Sequence, residues 1–169
     1  MKPSNTVSKL TMWYAIAVIV FVADQATKVW AENVLKGGKE IVLTSFFKFD
    51  LAYNTGAAFS FLRDGGGWQR WFFAVIAMVV SVGLIVWIAK LVREAKPGRG
   101  YELWALSLVL GGALGNLYDR ILLGHVVDFI VWHYQHYYWP TFNIADAGIC
   151  VGAGLLIFDM LFVQDKQAS

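Results

Sequence analysis

Residues 111–146 read GGALGNLYDRILLGHVVDFIVWHYQHYYWPTFNIAD. The stretch opens as an apolar run of membrane-spanning character and then gathers Asn116, Asp119, Arg120, Asp128, Asn143 and Asp146. Ionisable groups beside hydrocarbon are expensive and are kept where they pair or do chemistry, so three aspartates and an arginine here mark a candidate site. Asp128 and Asp146 read as its reacting carboxylates.

The remaining sequence shows how unusual that density is. With 58% hydrophobic residues and eight tryptophans in 169, the chain exceeds the ~45–50% apolar content of soluble domains and reads as an integral membrane protein. Its net charge of +2 comes from basic residues scattered over loops, so the electrostatic footprint of a nucleic-acid partner is missing. A single cysteine, Cys150, rules out an internal disulfide and any cluster of several thiolates. In its apolar run Cys150 reads as a small buried residue.

Hydropathy predicts four membrane helices, over about 10–30, 70–90, 101–122 and 142–163. Lys2 and Lys9 precede the first apolar run, a pattern that secretory signal peptides share. The run continues through DQATKVW to Trp30, however, and so approaches the ~20 residues that a retained span needs. Asp24 and Lys28 stand at i and i+4, which predicts a helix-end ion pair at headgroup level. No charge interrupts residues 71–89. Gly111, Gly112 and Gly115 in the third span, and Gly148, Gly152 and Gly154 in the fourth, predict close helix packing.

Between the spans lie two segments of different character. In residues 47–53, Phe47, Phe49, Leu51 and Tyr53 alternate with Lys48, Asp50 and Ala52, the period of a half-buried strand. NTG at 54–56 is a turn signal and AAFSF at 57–61 suits a returning strand, giving a small β element over about 40–62. Asn54 fits either a plain turn role or a site role. Gly65, Gly66 and Gly67 read as a flexible joint. The segment 123–140, with Trp132, Tyr134, Tyr137, Tyr138 and Trp139, reads as an aromatic layer at the membrane surface.

Orientation follows from Lys90, Arg93, Lys96 and Arg99, which crowd the short connection around Pro97 and Gly98 and place it in the cytoplasm. The expected architecture is a single-domain, all-α polytopic membrane protein over residues 1–169, with four transmembrane helices and a small extracytoplasmic β element. Both termini are then cytoplasmic, and every polar motif falls at the outer face. Independent polar accidents would scatter over both faces.

Paired carboxylates are the chemistry this cluster suits best. His125, His133 and His136 sit in the aromatic stretch and read as headgroup-facing, no helix-borne HExxH pattern supports zinc, and neither metal nor cofactor is expected. Two aspartates held close share a proton, so one activates water while the other donates to a carbonyl, as in aspartic peptidases. Asp146, near the start of the fourth helix, suits the ionised role because the helix dipole favours an anion there. Asp128 then holds the proton. Spacing leaves Asp119 open as a rival to Asp128. Arg120 can offset charge or hold a carbonyl oxygen, and Asn54, Asn116 and Asn143 can orient a substrate backbone.

DQATK at 24–28, NTGAAF at 54–59, GGALGNLYDR at 111–120, VVDF at 126–129 and FNIAD at 142–146 together resemble the bacterial lipoprotein signal peptidases, or signal peptidase II. The resemblance covers nearly the whole chain. It implies an aspartic endopeptidase of the bacterial inner membrane that removes the signal peptide from diacylglyceryl-modified prolipoproteins, cutting just before the lipid-bearing cysteine. By motif it places the dyad on Asp128 and Asp146, gives Asp119 a supporting role, and makes Asn54, Arg120 and Asn143 the substrate contacts; the residues themselves add Asn116 as a further substrate contact and Asp24 and Lys28 as structural support. The expected partners are lipid-modified prolipoprotein substrates and membrane lipids, and the enzyme is expected to be a monomer. A transporter would place its charges near the midplane on broken helices. A presenilin-type protease would show paired YD and GxGD motifs, which are missing, and a scaffold held by structural ion pairs is the third alternative.

Overall fold

The computed structural model describes residues 3–56 and 67–164. Its elements run α1 (Pro3–Leu35), β1 (Glu40–Thr44), β2 (Phe47–Asn54), α2 (Trp68–Glu94), α3 (Gly100–Leu122), β3 (Val126–Tyr134), β4 (Tyr137–Tyr138) and α4 (Ile144–Phe158), which a π-helical stretch continues over Asp159–Gln164. All four predicted helices are present. Three of them, in α1, α2 and α4, are long and apolar enough to cross a membrane. α3 falls outside that group, since it carries Glu102, Asn116, Asp119 and Arg120. It is also the most enclosed helix, packing against α1, α2 and α4.

α1 does more than span. Its 33 residues rise about 50 Å at 1.5 Å each, well beyond a hydrocarbon core of about 30 Å. The predicted end at Trp30 is therefore short by a turn and more. The early part contributes Trp13 and Ala17 to a core with Leu84, Ile88, Leu91 and Val92 of α2 and Leu103, Leu106 and Leu110 of α3. The last turns contribute Ala31 and Leu35 to a second core with Phe129 and Ile130 of β3, joined by Phe47, Phe49 and Leu51. Trp30 meets Phe49 and Phe129 edge-on, so it anchors the sheet to the helix. Away from these cores the helices present apolar side chains outward, such as Ile19 and Val79, each 66% exposed.

The β element is larger than the sequence led us to expect. Its strands form one antiparallel series in the order β1-β2-β3-β4. The alternating stretch 47–53 is indeed a strand, but its partners are β1 and β3. The predicted returning strand at 57–61 lies outside the described residues, as do Gly65 and Gly66 of the predicted joint. The segment 123–140, expected as an irregular aromatic layer, holds β3 and the short β4. Val126, Val127, Asp128, Phe129, Ile130 and Val131 are all buried, a run that is apolar but for Asp128 and typical of a strand covered on both faces.

Local chemistry fixes the joints around this sheet. α3 ends where Leu123 and Gly124 both donate their N–H groups to the Asp119 carbonyl, and Gly124 adopts a φ of 85° that favours glycine. β3 starts two residues later. Ahead of α4, Phe142 bonds across to Ile130 by N–H to carbonyl and back again. That pairing sets Asn143 beside β3. α4 then begins with a capping box, in which the Asn143 side chain accepts from the Asp146 N–H and the Asp146 side chain accepts from the Asn143 N–H.

Close packing at glycines holds the helix ends together. A Cβ on Gly115 would lie 2.5 Å from Asp24 Oδ2, and one on Gly152 would lie 2.7 Å from the Ala105 carbonyl. Gly154 differs from the prediction: it faces open space.

Candidate active site

The predicted site residues come from five elements and meet at one end of the helix bundle. On the sheet, Ala52 pairs with Asp128 and Asn54 pairs with Val126. Asn54 and Asp128 are thus diagonal neighbours on one face, within reach of each other's side chains. Asn54 Nδ2 donates to Asp128 Oδ2 at 3.1 Å.

Asn143 supplies the link between the two halves of the site. Its Nδ2 donates to Asp128 Oδ1 at 2.7 Å, while its Oδ1 accepts from the Asp146 N–H at 2.9 Å. Asn116 supplies a second link. Its Nδ2 donates to Asp146 Oδ1 at 2.7 Å, and its Oδ1 accepts from Asn143 Nδ2 at 3.1 Å. The Asn143 N–H completes Asp146 by donating to Oδ2 at 3.2 Å. Both carboxylates are therefore held on both oxygens by neutral amides.

Below this tier lies a buried ionic one. Lys28 Nζ contacts Asp24 at 2.7 Å and Asp119 at 2.8 Å, with all three side chains almost fully buried, and it donates to Asn116 Oδ1 at 3.1 Å. The sequence placed Asp24 and Lys28 as a helix-end pair at headgroup level; instead α1 continues past them and α3 and α4 enclose them. Asp24 also accepts from the Ala145 N–H, and Asp119 from the Val127 N–H. The rival carboxylate Asp119 is thereby committed to Lys28 and β3.

Arg120 reaches the cavity from α3. It donates to the carbonyls of Asn116 and Gly56, lies 5.5 Å over the Phe73 ring, and interacts electrostatically with Asp146, Asp128 and Asp119. Asp128 behaves differently from an ordinary carboxylate. Burial first, and then the neighbouring Asp146 charge, raise its pKa to about 7 against the opposing hydrogen bonds from Asn54 and Asn143.

A cavity of about 1240 Å³ opens onto these groups. Its polar end carries Asn54, Asn116, Arg120, Asp128 and Asp146, and its apolar wall includes Trp132, Trp139, Phe142 and Cys150. Cys150 is exposed, contrary to the buried position read from its apolar run, because α4 turns that face toward the cavity. The three histidines are not among the described residues that line it. His125 packs on Tyr53 and His133 on Tyr138.

Two residues with parts in this arrangement carried no role in the sequence reading. Gln25 Nε2 bonds Asp119 Oδ1 at 2.9 Å and Asp24 Oδ2 at 3.1 Å, and its position inside DQATK was the available signal. Arg70 donates to the Arg120 and Ile121 carbonyls, closing the end of α3 from α2. Its signal was weaker, a lone cation at the head of an apolar run.

Known proteins resemble the chain over most of its length. The family model described as signal peptidase (SPase) II matches residues 16–162. The lipoprotein signal peptidase of Cellvibrio japonicus is 58% identical over 156 residues, covering 92% of this chain and 89% of its own. That of Pseudomonas aeruginosa is 55% identical over 150 residues, covering 88% and 86%. Two solved structures of a bacterial membrane enzyme superpose with TM-scores of 0.75 and 0.73, each at 33% identity. The first covers 89% of this chain and 87% of its own, and the second 90% and 94%.

Proposed function

The chain belongs to the signal peptidase II family, and we propose that it acts as an aspartic endopeptidase whose dyad is Asp128 and Asp146. Its substrate on this reading is a diacylglyceryl-modified prolipoprotein, cut at the peptide bond just before the lipid-bearing cysteine. The observation that carries the dyad is the amide frame. Asn54, Asn116 and Asn143 hold both carboxylates on one cavity wall, close enough for the Asp146 charge to act on Asp128.

In the reaction, Asp146 takes a proton from a water whose oxygen adds to the scissile carbonyl carbon, and protonated Asp128 donates to the carbonyl oxygen. The tetrahedral intermediate then collapses, the C–N bond breaks, and the cysteine nitrogen leaves with a proton from the dyad. The position of Asp146 in the first turn of α4 favours its anionic role. Arg120 stands in the same cavity to hold a substrate carbonyl or share the developing charge. Asn143, fully buried, and Asn116 set the two carboxylates; Asn54 sets Asp128 and faces the substrate. Asp24, Lys28 and Asp119 hold α1, α3 and β3 beneath them.

We place the enzyme in the bacterial inner membrane as a single-domain monomer with four spans, α3 being the fourth. Both termini then lie in the cytoplasm, with the cavity at the outer face and lipids around the helices. The enclosure of α3 supports this, because its polar groups face neighbouring helices rather than lipid. No metal or cofactor enters the scheme.

Asp128→Asn and Asp146→Asn test the dyad. Each should abolish turnover of a lipid-modified precursor peptide while the protein still folds and binds it, since Asn fills the same volume but neither takes up nor releases the proton. The double variant should cost little more than either single one, as members of one catalytic unit are not additive. Residual activity in both single variants would refute the assignment.

A further inference from the structure

Among the described residues α2 lends nothing to the cavity wall, yet its first turns grip Arg120 from two sides. At the backbone, Arg70 Nε donates to the Arg120 carbonyl at 2.6 Å and Arg70 Nη2 to the Ile121 carbonyl at 2.5 Å. Three residues on, and so on the same helix face, the Phe73 ring lies 5.5 Å from the guanidinium carbon of Arg120. The two carbonyls are among the last four of α3, which have no partner within their own helix. A cation at that end also meets the negative pole of the helix dipole. Gly124 makes room for the contact, since a Cβ there would lie 3.2 Å from Arg70 Nη1. The planar fork of a guanidinium reaches two successive carbonyls at once, which the compact ammonium of a lysine does not.

We propose that Arg70 and Phe73 are positioning residues for the peptidase reaction and act through Arg120. The inference rests on the peptidase reading above, in which Arg120 holds a substrate carbonyl or shares the developing charge. Arg120 reaches the cavity from the final turn of α3, and a helix end frays when its carbonyls are unmet. Its own side-chain bonds do not hold it against such a shift. One runs to the Asn116 carbonyl of the same helix, and the other to the Gly56 carbonyl at 3.3 Å. Arg70 fixes the turn and Phe73 the guanidinium, so together they set where the charge of Arg120 stands relative to Asp128 and Asp146. Neither touches the substrate. A misplacement of about 1 Å at a reacting centre can cost about 10²-fold in rate.

The test is a double-mutant cycle on the full-length enzyme in detergent micelles, read as kcat/KM on a lipid-modified precursor peptide. Arg70→Met should lower it about 10²-fold in the parent. In an Arg120→Ala background the same change should cost no more than about twofold, the scatter of such cycles, because the group it positions is gone. Arg70→Lys keeps the charge without the fork and should lose about tenfold, the scale of one charge-assisted hydrogen bond, again only where Arg120 is present. Phe73→Leu should lose about threefold under the same condition, the scale of one cation–π contact. Equal factors in the two backgrounds would mean that Arg70 supports the fold at large and would overturn the proposal. Parent activity in Arg70→Met or in Arg120→Ala would overturn it as well. If Arg70→Met does not fold, Arg70→Lys and Phe73→Leu carry the same comparison. Asp128→Asn separates the two levels of argument: cleavage by that variant would refute the peptidase reading, whereas additive Arg70 and Arg120 effects beside an inactive Asp128→Asn would refute the positioning alone.

Discussion

Replacing Asn54 by leucine should move the alkaline limb of the pH–rate profile upward while lowering its height. Asp128 acts in its protonated form, and its pKa lies at about 7 because burial and Asp146 raise it while hydrogen bonds from Asn54 and Asn143 hold it down. The parent enzyme should therefore lose activity as the pH rises through that value. Asn54 Nδ2 donates to Asp128 Oδ2 at 3.1 Å, a bond that favours the charged carboxylate. Without it the proton is held more tightly. A hydrogen bond to a charged group contributes about 1.5–3 kcal/mol, and one pKa unit corresponds to about 1.4 kcal/mol. Asn54 is only half-buried, so water replaces part of the bond. The expected displacement is about one pH unit upward. The assay is kcat/KM on a lipid-modified precursor peptide between pH 5 and pH 9, each limb fitted separately. Were Asn54 a substrate contact alone, the whole profile would drop with its limbs in place. An alkaline limb that stays put or moves down would refute the assigned direction of the Asn54–Asp128 bond.

Three further outcomes follow from the packing and the charge pattern. Gly115→Ala would put a methyl 2.5 Å from Asp24 Oδ2 and 3.3 Å from Ala145 Cβ; such overpacking costs about 1–3 kcal/mol, and an unchanged melting temperature in detergent would contradict it. Lys28→Met should cost about 3–5 kcal/mol, since it leaves two buried carboxylates without their cation, and adding Asp119→Asn should recover part of the loss in the same denaturation assay. Failure of that rescue would mean that Lys28 acts through packing alone. Reporter fusions after Val92 and after Leu62 should report opposite sides of the membrane, and the same side for both would sink the proposed topology.

What could be read from the sequence was set by the range of each physical signal. Charge-free runs such as 71–89 specify helices because a span needs nothing beyond its own residues to be recognised. The motifs containing Asp24, Asn54, Asp128 and Asp146 were visible because each breaks an apolar context. The sheet was only half legible. β2 alternates, and so announces itself, but β3 is buried on both faces and shows a run, apolar but for Asp128, that aromatic neighbours disguised as a membrane-surface segment. Pairing across 74 residues, which brings Asn54 to Asp128, leaves no local trace. Cys150 was misread for a related reason. Hydropathy reports that a residue avoids water, and cannot tell a protein core from a helix face turned to lipid or to an apolar cavity.

The two tiers of the polar cluster also explain where a shared proton belongs. Among the described residues, Asp24, Asp119, Asp128 and Asp146 face two nearby cations, Lys28 and Arg120. Four anions against two cations in an enclosed, weakly polarisable site is an unstable arrangement, and removing one negative charge by protonation relieves it. The carboxylates of the lower tier are already paired. Asp24 accepts from Lys28, Gln25 and the Ala145 N–H, and Asp119 from Lys28, Gln25 and the Val127 N–H. Each is met by the ammonium directly and by two neutral donors. Asp128 and Asp146 are met by neutral amides, with Arg120 committed in part to the carbonyls of Asn116 and Gly56. The uncompensated charge therefore sits at the cavity wall, where a substrate carbonyl can receive the proton that relieves it. Lys28, by satisfying the lower pair, leaves the upper pair one charge short, and that shortage is what equips two aspartates to act as acid and base together.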